Sequence, residues 1–295
     1  AFALAHRLIE AGQSISLLAL FDTPLPSVFD KLDVHDDTRF LCDAVNFSYL
    51  LHGLEARVVY EELLAIKPEL RFQTAIEMGA DGIELDVHCS KDGELVVIHD
   101  FDVDGTTDGH GPVANFTKAE LAELNASVHF DGDFAPTSVP TLDQVFDLVG
   151  DRSQVNVEIK SKDMLGGDQV EPLLAIIKDR NLYHQVIISS FNPVTLIKTR
   201  WLDKRVALGV LHYQPLPDFL RAAWFGPIIQ PQAVHPLYTL VDDEYMAWAR
   251  SVNCAVNTWT VNDAAEAARL ADLDVDAIMT DAPDQIVGAL LTNHH

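Results

Sequence analysis

Three short motifs in the middle of the chain combine acidic and basic residues at the polar ends of apolar, strand-like runs. They are Glu84-Leu85-Asp86, His99-Asp100 and Glu158-Ile159-Lys160. Side chains two positions apart on a strand point to the same face, so the first and third motifs each direct two polar groups to one side. Three carboxylates, one histidine and one lysine can therefore converge on one place.

This set of side chains has the composition of a phosphate-handling metal site. Carboxylates packed together repel one another, and a hard divalent cation such as Ca²⁺ or Mg²⁺ relieves that repulsion. Lys160 adds a point charge suited to phosphoryl oxygens, and His99 can move a proton near neutral pH. The alternative is that these side chains are solvated, paired charges at strand ends. That alternative explains one motif more easily than all three together.

The strands that carry the first two motifs are predicted to form an antiparallel hairpin. Residues 82–87 and 94–100 are separated by too few residues for a parallel crossover, which needs a dozen or more. Asp92-Gly93 between them is a turn signal. A tight two-residue turn would place Glu84 opposite His99. The imidazole would then lie beside the carboxylates.

Downstream of the hairpin, apolar strands alternate with helical segments, a pattern typical of parallel β/α repeats. Seven such strands are marked by Ile83, Val157, Ile187, Leu208, Val234, Val256 and Ile278. An open seven-stranded barrel would expose two backbone edges, which is costly. We therefore predict that the apolar segment 14–22 occupies the first barrel position or docks near it. Residues 102–139, rich in Asp, Gly and Thr, are predicted to form an excursion on the barrel face.

Residues 71–289 resemble a glycerophosphodiester phosphodiesterase domain. The likeness lies in the stretches AIEMGADGIELDVHCSKDGELVVIHD, TLDQVFDLV, NVEIKSK, VIISSFNP, NTWTVND and DAIMTDAPD. It implies an α/β fold, a (β/α)8 TIM barrel of the phospholipase C-like phosphodiesterase type, with the site at the carboxyl ends of the strands. It also implies metal-dependent hydrolysis of a glycerophosphodiester to glycerol phosphate and an alcohol.

The resemblance also implies roles for particular residues. Glu84, Asp86 and Glu158 would bind the divalent cation, Ca²⁺ or Mg²⁺. His99 would be an acid/base residue, Lys160 would contact phosphate as part of the catalytic set, and Trp259 would pack against the glycerol side of the substrate. His88 shares the face of Glu84 and Asp86 and could approach the metal, although the family does not use that position. His235 is expected to be a structural strand-end residue or to line the pocket mouth.

Two features of the family are absent from this sequence. The family's first strand ends in His-Arg-Gly, which supplies a second catalytic histidine and a phosphate-binding arginine, and no such motif precedes Arg71. Where the family usually has Asp-Arg-Thr-Thr, this chain has Asp104-Gly105-Thr106-Thr107. The alternative hypothesis is therefore a chimeric or truncated protein that folds and binds metal without completing the proton relay.

Residues 1–70 resemble part of a thioesterase domain from nonribosomal peptide synthetases or polyketide synthases. AFALAHRLIEAGQSISLLALFDTPLP is similar to the helix and strand after the nucleophile elbow, and two segments between 37 and 70 are similar to lid helices. Asp22 is the only member of the Ser-His-Asp triad retained, so acyl transfer is not expected. The chain thus divides into an α-rich extension at 1–70 and a barrel at 71–295. A carrier-protein interaction module at 37–66 is a third hypothesis.

Composition narrows the classes of partner. With 20 basic and 45 acidic residues, the net charge of −25 argues against nucleic acid or an anionic membrane and leaves a small-molecule substrate. No apolar run approaches the roughly 18 residues of a membrane span. Three cysteines without metal-ligand spacing suit a reducing compartment, and no secretory leader is visible, so we expect a cytoplasmic protein. The first residue, Ala rather than Met, suggests that the natural start is missing.

Overall fold

The barrel is built from eight parallel strands, with a ninth strand added by a hairpin. The computed structural model describes residues 81–129, 136–214 and 228–281, the single residues Pro283, Ile286 and Leu290, and the backbone of 16–20. The strands are β1 (Ser16–Leu20), β2 (Gly82–Cys89), β3 (Leu95–Val97), β4 (Gln154–Ile159), β5 (Val186–Ser190), β6 (Ala207–His212), β7 (Ala233–Pro236), β8 (Ala255–Thr258) and β9 (Ala277–Thr280).

Strand β1 closes the barrel. The sheet runs β1-β9-β8-β7-β6-β5-β4-β2, and an additional β1–β2 pairing joins its two ends. β1 is parallel to both neighbours, with Ala19 in register with Thr280 on β9 and Leu20 in register with Glu84 on β2. The prediction that segment 14–22 supplies the first barrel strand is therefore confirmed. All seven predicted parallel strands are also present.

Helices follow the strands, and local sequence signals start them. Thr141 caps its helix through a capping box with Gln144, and Asn192 caps the next-but-one helix, whose first residue is Pro193. Asp263 caps the last described helix by accepting a hydrogen bond from the Glu266 N–H. The described helices are α1 (Lys118–Glu123), α2 (Leu142–Val149), α3 (Val170–Asp179), α4 (Pro193–Leu202), α5 (Asp243–Ser251) and α6 (Ala264–Asp272).

The predicted hairpin is confirmed, but its predicted register is wrong by one residue. β2 and β3 are antiparallel, with Val87 opposite Val97 and Cys89 opposite Leu95. The loop has three residues rather than two, because the Ser90 N–H bonds the carbonyl of Glu94 and Gly93 takes the left-handed conformation at φ +84°. A one-residue shift reverses the facing of a regular strand. Glu84 is consequently not paired with His99.

Two apolar cores lie outside the barrel wall. The larger one lies between the strands and the helices, where side chains such as Leu85, Val157 and Leu173 are fully buried. The smaller one, which includes Val96 and Val113, holds the described part of the predicted excursion against β3. Val103–Gly105 and Val113–Asn115 in the excursion are short 3₁₀ helices. A further 3₁₀ helix, Tyr238–Leu240, follows β7.

The described helices are all too short or too polar to cross a membrane. Cys89 and Cys254 are buried free thiols. Cys42 lies outside the described residues, as do Asp22 and most of the thioesterase-like segment 1–70.

Candidate active site

Three buried carboxylates meet at the carboxyl end of β2 and β4. Glu84 and Asp86 lie two residues apart on β2, and Asp86 is in register with Glu158 on the adjacent β4. Each can offer an oxygen such that all three oxygens lie within 4.8 Å of one another. Their exposed fractions are 5%, 4% and 7%. The predicted ligand set is thus brought together in a place where uncompensated negative charge is costly.

Lys160 partly neutralises this charge. Its Nζ lies 3.0 Å from Asp86 Oδ1 and 3.1 Å from Glu158 Oε1. Burial acts to lower the pKa of Lys160, but the two carboxylates outweigh it and hold the pKa above the usual value. Burial also raises the pKa of Glu158, and it outweighs the opposing attraction of Lys160. A further cation beside Glu158 would favour its ionised form, as Lys160 does.

His99 lies just beyond the end of β3, with a half-buried ring. Its Nδ1 donates to Asp100 Oδ1 over 2.8 Å, since a carboxylate oxygen can only accept. In the neutral imidazole, Nε2 then carries no hydrogen and can accept a proton. Burial, and then the charge of Lys160, lower the pKa of His99, whereas Asp100 acts to raise it. A neutral His99 ready to accept a proton follows from this arrangement.

His88 lies on the same face of β2 as the carboxylates but bonds elsewhere. Its Nε2 lies 3.2 Å from the main-chain oxygen of His99. Burial lowers the pKa of His88 to about 4, so the ring is neutral at pH 7. The described contacts of His88 are with the His99 segment and do not include a carboxylate of the cluster.

Trp259 stands directly after β8, at the same end of the barrel as the acidic cluster. Its Nε1 donates to the carbonyl of His235 over 2.8 Å, and Phe191 meets its ring edge-on with centroids 5.5 Å apart. Tyr213 lies 6.0 Å from Phe191. These three aromatic residues form a rim. Sequence reasoning singled out only Trp259. Phe191 and Tyr213 also directly follow the ends of strands, β5 and β6, and barrel sites form at the carboxyl ends of strands.

His235 has a structural place inside the barrel wall. It is fully buried, and its Nε2 accepts from the Asn257 side-chain amide over 3.1 Å. A Cβ at Gly209, on the adjacent strand β6, would lie 2.5 Å from the same nitrogen, so a glycine at this position leaves space for the His235 ring. Burial lowers the pKa of His235 to about 3. Of the two expected roles, the structural one fits this environment.

Comparison with known proteins gives the same family along most of the chain. The model of the Glycerophosphoryl diester phosphodiesterase family matches residues 70–285. A Glycerophosphodiester phosphodiesterase of Caldanaerobacter subterraneus subsp. tengcongensis is 38% identical over 218 residues, which cover 73% of this chain and 88% of the relative. One from Bacillus subtilis is 31% identical over 230 residues, covering 73% of this chain and 78% of the relative.

Solved structures extend the similarity to the fold. The glycerophosphodiester phosphodiesterase from Thermotoga maritima matches with a TM-score of 0.60 and 29% identity, over 75% of this chain and 90% of that one. An Oleispira antarctica phosphodiesterase, solved in complex with the product sn-glycerol-3-phosphate, matches with a TM-score of 0.65 and 23% identity over the same shares, a likeness of fold. With the family model covering well over half of its length, the chain belongs to the glycerophosphoryl diester phosphodiesterase family.

Proposed function

We propose that this chain hydrolyses glycerophosphodiesters to glycerol phosphate and an alcohol, using a divalent cation held by Glu84, Asp86 and Glu158. The observation that carries the proposal is the cluster of three buried carboxylates, with ligand oxygens within 4.8 Å of one another. Relatives 38% and 31% identical to this chain bear the name of that activity. Family membership and the cluster support the same chemistry independently.

The acidic cluster fits a cation on its own evidence. The ammonium group of Lys160 already bridges Asp86 and Glu158, which is the kind of contact that a metal ion would replace. All three candidate ligands are carboxylates, and hard oxygen donors suit Ca²⁺ and Mg²⁺ alike. The residues do not favour one of the two ions. Titration with each ion decides between them.

The remaining residues have distinct roles in the proposed reaction. A bound divalent cation would polarise a phosphoryl oxygen and hold the phosphate in place. Lys160, displaced from its carboxylates, would place its charge against the other phosphoryl oxygens. His99, with Nδ1 bonded to Asp100, would accept at Nε2 a proton from the attacking water and later give it to the oxygen of the leaving alcohol. Trp259 would pack against the glycerol moiety.

A second hypothesis, of a folded chimera with reduced turnover, rests on the first strand. β1 lies upstream of the family match, which starts at residue 70, and after Leu20 the sequence continues Phe21-Asp22-Thr23 instead of His-Arg-Gly. A barrel joined in this way would retain the ligands, His99 and Lys160 without a second histidine. Loss of one acid/base partner removes roughly 10²- to 10⁴-fold of rate. The carrier-protein module at 37–66 remains a prediction, since it lies outside the described residues.

Hydrolysis of glycerophosphocholine, with and without chelator, tests the proposal. We expect turnover that a chelator abolishes and that either Ca²⁺ or Mg²⁺ restores. Metal binding by calorimetry, measured on the same sample, separates the two hypotheses. A folded sample that binds the ion but shows no turnover favours the chimera, and turnover that chelation leaves unchanged contradicts the metal-dependent proposal.

A further inference from the structure

His88 is a buried histidine that the proposed reaction does not use. It is the next residue after Asp86 on the inner face of β2, with an exposed fraction of 4%. The pairing of β2 with β4 ends at Val87, and from there β2 is paired with β3 alone. His88 therefore lies where β2 leaves the barrel wall and enters the hairpin that leads to His99.

The His88 side chain extends the pairing of this hairpin beyond its last strand residue. β3 ends at Val97, and the next main-chain bond runs from the Ile98 N–H to the carbonyl of Asp86 over 3.2 Å. One residue later, the carbonyl of His99 accepts a hydrogen bond from Nε2 of His88 over 3.2 Å, because a carbonyl can only accept. The peptide that carries the His99 side chain is thus held to β2 by a side chain instead of a ladder bond.

The ring of His88 packs against Phe101, which lies two residues after His99. Phe101 meets it nearly at a right angle, at 79° with ring centroids 4.9 Å apart. Lys162, from the segment after β4, places its Nζ 3.8 Å from the centroid of the Phe101 ring. The edge-on contact with Phe101 favours the imidazole orientation that bonds the His99 carbonyl, and Lys162 packs on the Phe101 ring in turn.

We propose that His88 is a positioning residue for His99, which it fixes through the hydrogen bond from its Nε2 to the His99 main-chain carbonyl. Asp100 fixes the ring of His99 through Nδ1, and His88 fixes the backbone from which that ring projects. This inference rests on the proposed function, because it assigns a purpose to a precisely held His99. A displacement of about 1 Å in a reacting group can cost about 10²-fold in rate.

Two variants with a matched control test the proposal. His88→Leu removes the donor, whereas His88→Gln keeps an N–H that can reach the same carbonyl. Thr199→Val, on α4, removes another buried hydrogen bond from a side chain to a main-chain carbonyl, that of Thr195 at 2.8 Å, away from the site. All three are assayed for kcat, KM, metal affinity and melting temperature.

We expect His88→Leu to lower kcat by about 10²-fold with KM and metal affinity changed less than threefold. His88→Gln is expected to recover most of that loss, and Thr199→Val to leave kcat near the wild-type value. The proposal is overturned if a folded His88→Leu keeps wild-type kcat, or if His88→Gln is folded and as slow as His88→Leu.

A readout independent of turnover keeps this inference distinct from the proposed function. The ring resonances of His99, followed by nitrogen-15 NMR, should shift or broaden in His88→Leu and return towards wild type in His88→Gln. If wild-type protein hydrolyses no glycerophosphodiester, the proposed function fails, and these resonances still decide the positioning role. Resonances of His99 that are unchanged in His88→Leu overturn it.

Discussion

At the scale of single residues, the site is governed by closely packed, buried carboxylates. Glu84, Asp86 and Glu158 place ligand oxygens within 4.8 Å of one another, and Lys160 pairs with Asp86 and Glu158. Like charges held this close disfavour one another's ionised forms. The protein therefore keeps an unfavourable arrangement that a divalent cation would convert into a favourable one. Functional sites are where folded proteins accept such a cost.

The free energy of unfolding should report this conversion directly. An ion that binds only the folded state at 100 times its dissociation constant adds about 2.7 kcal/mol, equivalent to a rise of roughly 5–10 °C in melting temperature for a domain of this size. We expect that rise in wild-type protein and its loss in Glu158→Gln. Glu171→Gln, at a half-exposed residue paired with Lys198, is the matched control and should keep the rise. An equal rise in Glu158→Gln would remove Glu158 from the ligand set.

The charge of Asp100 should affect the pH dependence of turnover through the pKa of His99. Burial and Lys160 lower the pKa of His99, and Asp100 opposes them. As the proposed base, His99 would act only when neutral, so kcat/KM should fall as the pH drops through a pKa below the usual value of 6.5. Asp100→Asn removes the opposing charge but keeps an oxygen for Nδ1. We expect the acid limb to move to lower pH, with a plateau reduced by up to about 10²-fold because a weaker base transfers protons less well.

The pH profile of a second variant checks this assignment. Asp104→Asn makes the same chemical change at an exposed residue that bonds His110 and the Gly111 N–H. Its acid limb should coincide with that of wild-type protein. A limb that stays in place in Asp100→Asn as well would show that a group other than His99 controls it.

At the scale of elements, β1 has the largest effect on the fold. It pairs with β2 on one side and β9 on the other, so without it the parallel strands would form an open sheet with two unpaired edges. A proline within β1 should disrupt both pairings, because it removes an N–H and its ring needs space along the ladder.

Ala19→Pro should accordingly lower the free energy of unfolding by about 3 kcal/mol or more, as proline does in the interior of a helix. Urea denaturation measures this loss. Ala264→Pro is the same substitution at the first residue of α6, where the preceding Asp263 has an extended backbone at φ −100° and ψ 129° and proline is favoured. It should change stability by less than about 0.5 kcal/mol. Equal effects of the two substitutions would argue against a central position for β1.

At the scale of the whole molecule, the negative net charge of the protein disfavours the approach of an anionic substrate. The chain carries a net charge of −25, so an anionic phosphodiester would approach a surface of the same sign until it meets Lys160 and the proposed cation. Salt screens this long-range repulsion over a Debye length of about 10 Å at 0.1 M.

Ionic strength should therefore affect substrates according to their net charge. For glycerophosphoglycerol, an anion, we expect kcat/KM to rise about twofold between 0.01 and 0.15 M monovalent salt. Glycerophosphocholine, whose positive and negative charges cancel, serves as the control and should change little. A fall in kcat/KM for the anion alone would mean that the local positive field of the site dominates its approach.

Local signals in the sequence determined most of the element pattern and the composition of the site. Alternation along residues 82–87 and 155–160 placed Glu84 with Asp86 and marked the third motif, because a strand reverses its side-chain direction at every residue. The strand that precedes His99 was likewise recognisable, and so was the turn at Asp92-Gly93. These inferences needed only neighbours a few positions apart.

Tertiary structure decided which strands pair and in which register, because these features depend on backbone conformation and on residues far apart in the sequence. The hairpin register depended on Gly93 adopting φ +84°, a choice that a turn signal alone does not specify. The bond from His88 to the His99 carbonyl follows from that register. The pairing of β1 with strands 64 and 261 residues away, at Gly82 and Ala277, was inferred from the count of strands, and its register was set by closure of the barrel. Closure is a property of all eight strands together, which is why no local pattern contains it.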